Sequence, residues 1–64
     1  MPAKWTGEIV KQLHLNRLSQ TDLAVKLGVS REYVCLVLNG KRTPADAKER
    51  FTEALDALIK EARA

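Results

Sequence analysis

Apolar residues recur at helical spacing along the whole chain and divide it into segments of helix length. The pattern predicts helices over about 7–15, 20–27, 31–38 and 44–62. Strand alternation, internal repeats and low-complexity stretches are absent from the sequence. The connections are too short for a second domain, so we expect one all-α domain over 1–64. It is a compact bundle of four helices, with a five-helix bundle as the alternative.

The first helix is predicted from its flanking residues. Thr6 precedes it and is a suitable N-cap, and Trp5 can pack on Val10 one turn later as a hydrophobic staple. Ile9, Val10 and Leu13 then form the apolar stripe that faces the core.

The second and third helices meet at a single glycine. Ser19 with Asp22 three residues later is an acidic capping box, and Ser30 caps the third helix. Gly28 can adopt the positive φ that a tight turn requires, and Ala24 is small enough for a close helix crossing. The positions that build this turn and its buried side are Leu23, Ala24, Leu27, Gly28, Val29, Val34 and Val37.

The fourth helix is predicted to start at Thr43–Pro44, a capping residue followed by proline at the first helical position. Its apolar stripe is continuous and includes Phe51, Leu55, Leu58 and Ile59. Two roles are open for this stripe: it folds back on the core, or part of it forms a dimer surface. We favour a homodimer through or near this helix, since two-fold dimers are the commonest oligomers.

The composition of the chain limits the kinds of partner and binding site that it can have. The chain has 64 residues and a net charge of +3. Residues 1–43 carry seven Lys and Arg against three Asp and Glu, whereas residues 44–64 carry four against five. The first part therefore suits a polyanion. One cysteine and one histidine form neither an internal disulfide nor a structural zinc site, so neither a metal nor a cofactor is expected.

The sequence also bears on location and catalysis. It contains no run of apolar residues of membrane-spanning length and no secretory signal, so we expect no membrane association and a cytoplasmic, nucleoid-associated protein. A catalytic triad and a phosphate-binding glycine loop are both absent, and an enzyme is not expected.

The stretch LSQTDLAVKLGVSREYV, followed by LNGKRTP, resembles the Cro/repressor-type helix-turn-helix family, also called XRE-like. The resemblance covers about two-thirds of the chain and implies the lambda-repressor-like fold. Within this family, the chain looks most similar to small phage- or prophage-type regulators that consist of little beyond this module. The chain departs from the family at its end, where one long helix replaces the two short helices of many members.

The third helix is the expected reader of the major groove. Its side away from the core carries Arg31, Glu32, Cys35 and Leu36. Arg31 can donate to guanine O6 and N7, and Glu32 can accept from cytosine N4. Leu36 fits a thymine methyl group or belongs to a larger core. Cys35 is either a minor base contact or a small filler.

A second set of residues is expected to contact the DNA backbone. The resemblance implies that Gln20 approaches a phosphate and that the loop from Asn39 to Thr43 acts as a phosphate clamp. Two cations in this loop and the N–H groups at the start of the fourth helix suit an anion. The predicted phosphate contacts are Gln20, Ser30, Tyr33, Asn39, Lys41, Arg42 and Thr43.

We therefore predict a sequence-specific transcriptional regulator, with a repressor favoured, that binds a palindromic operator in double-stranded DNA as a homodimer without a small-molecule effector. The alternative is a protein-interaction module on the same scaffold, such as an antitoxin or antirepressor. Leu36 and Cys35 on the exposed face favour the alternative. The loop over residues 39–43, called the basic loop because it carries Lys41 and Arg42, argues against it.

Overall fold

The computed structural model describes residues 4–63, which form four α-helices and no strand. The helices are α1 (Lys4–Leu15), α2 (Gln20–Leu27), α3 (Arg31–Leu38) and α4 (Ala47–Arg63). The predicted all-α class is confirmed, and α2 and α3 have the predicted bounds. No helix within residues 4–63 is both long and apolar enough to cross a membrane.

All four helices contribute to one core. Leu23 and Val34 are fully buried where α2 packs against α3, and Phe51 is buried in the first half of α4. The Trp5 ring meets the Phe51 ring edge to face, with centroids 5.8 Å apart, and this contact joins α1 to α4. The remaining buried apolar residues are Ile9, Leu13, Ala24, Val37, Leu38, Ala47, Ala54 and Leu55. Leu27 and Val29 pack against this core while partly exposed.

The first three helices end in the same way: two N–H groups beyond each helix bond back to carbonyls of its last turn. The left-handed residue at these ends is Arg17 (φ 57°), Gly28 (φ 74°) and Gly40 (φ 77°). The bonds that span five residues run from Leu18 N to Leu13 O (2.8 Å), Val29 N to Ala24 O (3.0 Å) and Lys41 N to Leu36 O (2.9 Å). Only Arg17 among these three carries a Cβ in this conformation, which is strained for an L-residue.

Replacing Arg17 with glycine is expected to raise the free energy of unfolding by about 0.5–1 kcal/mol, because the left-handed conformation then costs little. Urea unfolding followed by circular dichroism measures the change. Lys11→Gly, at an exposed position inside α1, is the matched control. It is expected to lower stability by about 1 kcal/mol. A loss of stability in Arg17→Gly would show that the arginine side chain makes contacts that outweigh the backbone strain.

The predicted start of α1 is wrong. Thr6 does not cap the helix: it lies inside the helix and is 2% exposed. Trp5 does not staple onto Val10, which points largely to solvent at 44% exposure. Instead Trp5 packs on Phe51. Packing of the partly buried Trp5 on Phe51, together with burial of Thr6, favours a helix that already includes Lys4, and this outweighs the local cap signal.

The predicted start of α4 is also wrong. Thr43 and Pro44 precede the helix, and the bond from Ala47 N to Pro44 O (3.2 Å) closes a turn. The Asp46 carbonyl then accepts from Arg50 N (3.1 Å), which is the first helical bond. Ala47 is 2% exposed and marks where the chain re-enters the core. The chain therefore returns from α3 to the core through a turn at residues 44–47 and not through the first turn of α4.

Of the two roles open for the α4 stripe, the structure places Phe51 and Leu55 in the core, at 2% and 4% exposure. Leu58 and Ile59 pack against the same core but remain partly exposed. An apolar contact between two copies along this stripe would therefore use Leu58 and Ile59 in the second half of the helix.

Candidate nucleic-acid interface

The unit formed by α2, the turn and α3 is held by caps at both helix starts. Ser19 Oγ accepts from Asp22 N (3.1 Å), and Asp22 Oδ2 accepts from Ser19 N (2.8 Å). Ser30 Oγ accepts from Tyr33 N (3.1 Å) and starts α3. The predicted capping box and the predicted Ser30 cap are thus confirmed. They fix where each helix begins and leave three residues for the turn between them.

Gly28 is required in that turn by backbone conformation and not by lack of space. Its φ is 74°, and a Cβ built there would meet nothing within 4 Å. Ala24, in the last turn of α2, is 3% exposed, and its carbonyl accepts from Val29 N in the turn that follows. Since Val34 and Val37 bury the inner side of α3, its opposite side is presented outwards.

The outward side of α3 carries the four residues that the sequence predicts to read bases. Arg31 and Glu32 are exposed, whereas Cys35 and Leu36 are partly buried. All four line one open depression of about 290 Å³. Their spacing places two charged side chains at the N-terminal end and two apolar ones a turn later.

Asn39 has a different role in the structure from the predicted one. Its Nδ2 donates to the Cys35 carbonyl (2.8 Å) and approaches Cys35 Sγ at 3.1 Å. Both hydrogens of the amide are thereby directed at Cys35. A phosphate contact through Nδ2 would have to break these bonds, so in this conformation Asn39 completes the end of α3 and orients the cysteine.

The other predicted phosphate contacts lie around α3 rather than at one point. Gln20 is partly buried in the first turn of α2, and Tyr33 is partly buried in the first turn of α3. Ser30, Lys41, Arg42 and Thr43 are exposed.

The predicted anion site combined the N–H groups at the start of the fourth helix with the two cations of the loop, and the structure separates these two parts along the chain. The N–H groups of Lys41 and Arg42 both bond to the Leu36 carbonyl, at 2.9 and 3.2 Å. The start of α4 lies three residues later than predicted, so its free N–H groups are not adjacent to the two cations in sequence. The side chains of Lys41 and Arg42 are what this loop offers to an anion.

Lys48 is a residue that the sequence analysis missed. It is exposed in the first turn of α4 and lines the same crevice, of about 110 Å³, as Arg42 and Thr43. Its place just after the basic loop was the signal that could have found it.

The cations near α3 are free of ion pairs among residues 4–63. The salt bridge that forms in this range joins Lys26 Nζ to Glu61 Oε1 (2.7 Å) and ties α2 to the end of α4. Arg31, Lys41, Arg42 and Lys48 are exposed and have no acidic partner in the described part of the chain. Their charge is therefore available to a bound polyanion.

Comparisons of the chain with protein-family models, curated proteins and solved structures found no match. Within residues 4–63, no group of three or more His, Cys, Asp and Glu side chains is placed to hold a metal ion.

Proposed function

We propose that the chain is a sequence-specific binder of double-stranded DNA with a lambda-repressor-like fold, acting as a transcriptional regulator of the repressor type. The observation that carries the proposal is the outward face of α3, which Arg31, Glu32, Cys35 and Leu36 form together. The capped turn after α2 holds this face rigidly outside the core. A helix mounted in this way is the element that enters the major groove in helix-turn-helix proteins.

The residues divide into base readers and backbone contacts. Arg31 donates to guanine O6 and N7, and Glu32 accepts from cytosine N4. Leu36 offers apolar surface to the methyl group of a pyrimidine, which in DNA without modified bases is the C5-methyl group of thymine. Lys41, Arg42 and the first turn of α2 at Gln20 approach phosphates. The backbone contacts supply sequence-independent affinity, and the base contacts supply the specificity.

Two copies of the chain are needed to read enough base pairs for a specific operator. An eight-residue α3 reaches few base pairs, and helix-turn-helix proteins compensate by reading two half-sites about 34 Å apart. Because Phe51 and Leu55 are committed to the core, the homodimer contact falls to partly exposed residues near the end of α4, such as Leu58 and Ile59. A palindromic operator follows from this symmetry.

One observation favours a protein-interaction module of the antitoxin or antirepressor kind instead. Val25 is 77% exposed on α2, and Leu36 and Cys35 present apolar surface on α3. Exposed apolar groups of this kind suit a protein partner as well as DNA. The unpaired cations of the loop after α3 weigh towards DNA.

Two measurements test the proposal. Fluorescence anisotropy with random-sequence duplex DNA is expected to show affinity that falls steeply as salt rises, because counterions are released on binding. Selection from a random duplex pool is expected to return a palindrome. Undetectable binding at low salt would contradict DNA binding and leave the protein-interaction module.

The basic loop provides a sharper prediction. Lys41→Gln and Arg42→Gln are each expected to weaken binding by a similar factor on all sequences and to reduce the salt slope by about one unit. Each substitution removes one cation that neutralises a phosphate. Salt titrations of wild type and variants on one duplex measure the slopes.

Lys60→Gln is the matched control for these variants, since it removes the same charge from an exposed site in the last turn of α4. Its slope is expected to equal that of wild type. If the loop variants behaved like Lys60→Gln, Lys41 and Arg42 would be solvated side chains without a phosphate contact.

A further inference from the structure

The depression on α3 combines two kinds of surface. Arg31 and Glu32 are exposed charged groups at one end, and Cys35 and Leu36 provide apolar surface at the other. Neither charged group has a partner of opposite charge within residues 4–63 that would neutralise it before a ligand arrives. A ligand that complements the whole depression therefore needs a hydrogen-bond donor for Glu32 and a small apolar group beside it.

The ordinary pyrimidines each satisfy only half of this requirement. Cytosine presents its N4 donor in the major groove, whereas thymine presents the C5-methyl group and the O4 acceptor. Glu32 would accept from cytosine N4, but plain cytosine leaves the apolar surface of Leu36 without a partner. Thymine would fill that surface and bring O4 against the carboxylate, which is unfavourable because both groups are acceptors.

Hydrogen bonds within the protein hold the Cys35 sulfur and the Leu36 backbone at the apolar end of the depression before binding. Asn39 Nδ2 holds both the Cys35 carbonyl (2.8 Å) and Cys35 Sγ (3.1 Å), so the sulfur is oriented from within α3. Leu36 is partly buried, and its backbone is held at the end of α3 because its carbonyl accepts from Lys41 N and Arg42 N. A fixed apolar surface discriminates a methyl group better than a mobile one, because little ordering is lost on binding.

We propose that the preferred base here is 5-methylcytosine next to a guanine, and that the chain distinguishes methylated from unmethylated DNA. This base carries the N4 donor that Glu32 accepts and, on the adjacent carbon, the methyl group that Leu36 and Cys35 contact. Arg31 reads O6 and N7 of the neighbouring guanine, and its planar guanidinium group can lie over the methyl group. The inference rests on the proposed DNA binding and names the chemical state of the DNA that is bound.

The test uses two selections, one from a random duplex pool with ordinary cytosine and one from a pool with 5-methylcytosine in its place. Each cytosine of the selected site is then replaced by 5-methylcytosine or by thymine in synthetic duplexes, and affinity is measured by anisotropy. At one position in each half-site, 5-methylcytosine is expected to bind about fourfold more tightly than cytosine, the factor supplied by burying one methyl-sized group. Thymine is expected to bind more weakly than 5-methylcytosine there.

Two variants connect this preference to the depression. Leu36→Ala is expected to reduce the affinity ratio of 5-methylcytosine to cytosine from about four to about one, since the methyl group loses its contact. Glu32→Gln is expected to shift the preference towards thymine, because an amide can donate to O4. Circular dichroism of each variant checks that the helices are intact.

The outcomes separate the inference from the proposed function. Equal affinity for cytosine and 5-methylcytosine at every position, or a preference for thymine in the wild-type protein, would overturn methylation sensing and leave DNA binding in place. Failure to bind duplexes from either pool at low salt would overturn the proposed function and this inference with it.

Discussion

Replacing Phe51 with alanine is expected to lower the free energy of unfolding by about 3–5 kcal/mol. The ring is 2% exposed and makes an edge-to-face contact with Trp5 at 5.8 Å, so its removal leaves a cavity between α1 and α4. A domain of this size has a total stability of only about 5 kcal/mol. The variant is therefore expected to be largely unfolded at 37 °C.

Thermal unfolding followed by circular dichroism at several protein concentrations measures this effect. Leu58→Ala is the control, since Leu58 lies two turns further along the same helix and is only partly buried. Its expected loss is smaller, about 1 kcal/mol. If Phe51→Ala abolished only a concentration-dependent part of the stability, the ring would act at a dimer interface and the assignment to the core would be wrong.

Replacing Arg31 with alanine is expected to remove discrimination at one base pair of the operator, at a cost of about 1–3 kcal/mol on the preferred sequence. The guanidinium group lies exposed in the first turn of α3, next to Glu32, and has no acidic partner within residues 4–63. Such a group can form two parallel bonds to guanine that no other base accepts in the same geometry.

Affinities for the selected duplex and for its single-base variants, measured at one salt concentration, provide the test. Arg42→Gln is the matched control, since it removes a cation from the loop and is expected to weaken all duplexes alike. A uniform loss in Arg31→Ala as well would reassign Arg31 to a phosphate. In either case the fold should persist, because Arg31 is exposed and does not belong to the buried core that Val34 and Val37 help to form.

The local signals in the sequence predicted the centre of the molecule correctly. Ser19 and Asp22, Gly28, and Ser30 set the ends of α2 and the start of α3 through hydrogen bonds or backbone conformations that span three or four residues. Interactions of this range are visible in sequence because both partners stand close together in the chain. The four side chains predicted to read bases share one face for the same reason, since helical spacing alone places them together.

The same kind of signal was misleading at Thr6 and at Thr43–Pro44. Both stretches are suitable helix starts, but α1 extends past the first and α4 begins after the second. Burial of Trp5 against Phe51 decides the first case, and the return of the chain to the core at Ala47 decides the second. These partners are tens of residues apart, so no local pattern could show that they meet.

The helical class of the chain, the positions of α2 and α3 and the outward side of α3 could be predicted from the sequence, because they depend on periodicity and on hydrogen bonds between near neighbours. The packing of the helices was needed to show that Phe51 and Leu55 complete the core and that Lys48 lines one crevice with Arg42 and Thr43. Those outcomes depend on which surfaces the four helices bury against one another, and burial is a property of the packed molecule rather than of any segment.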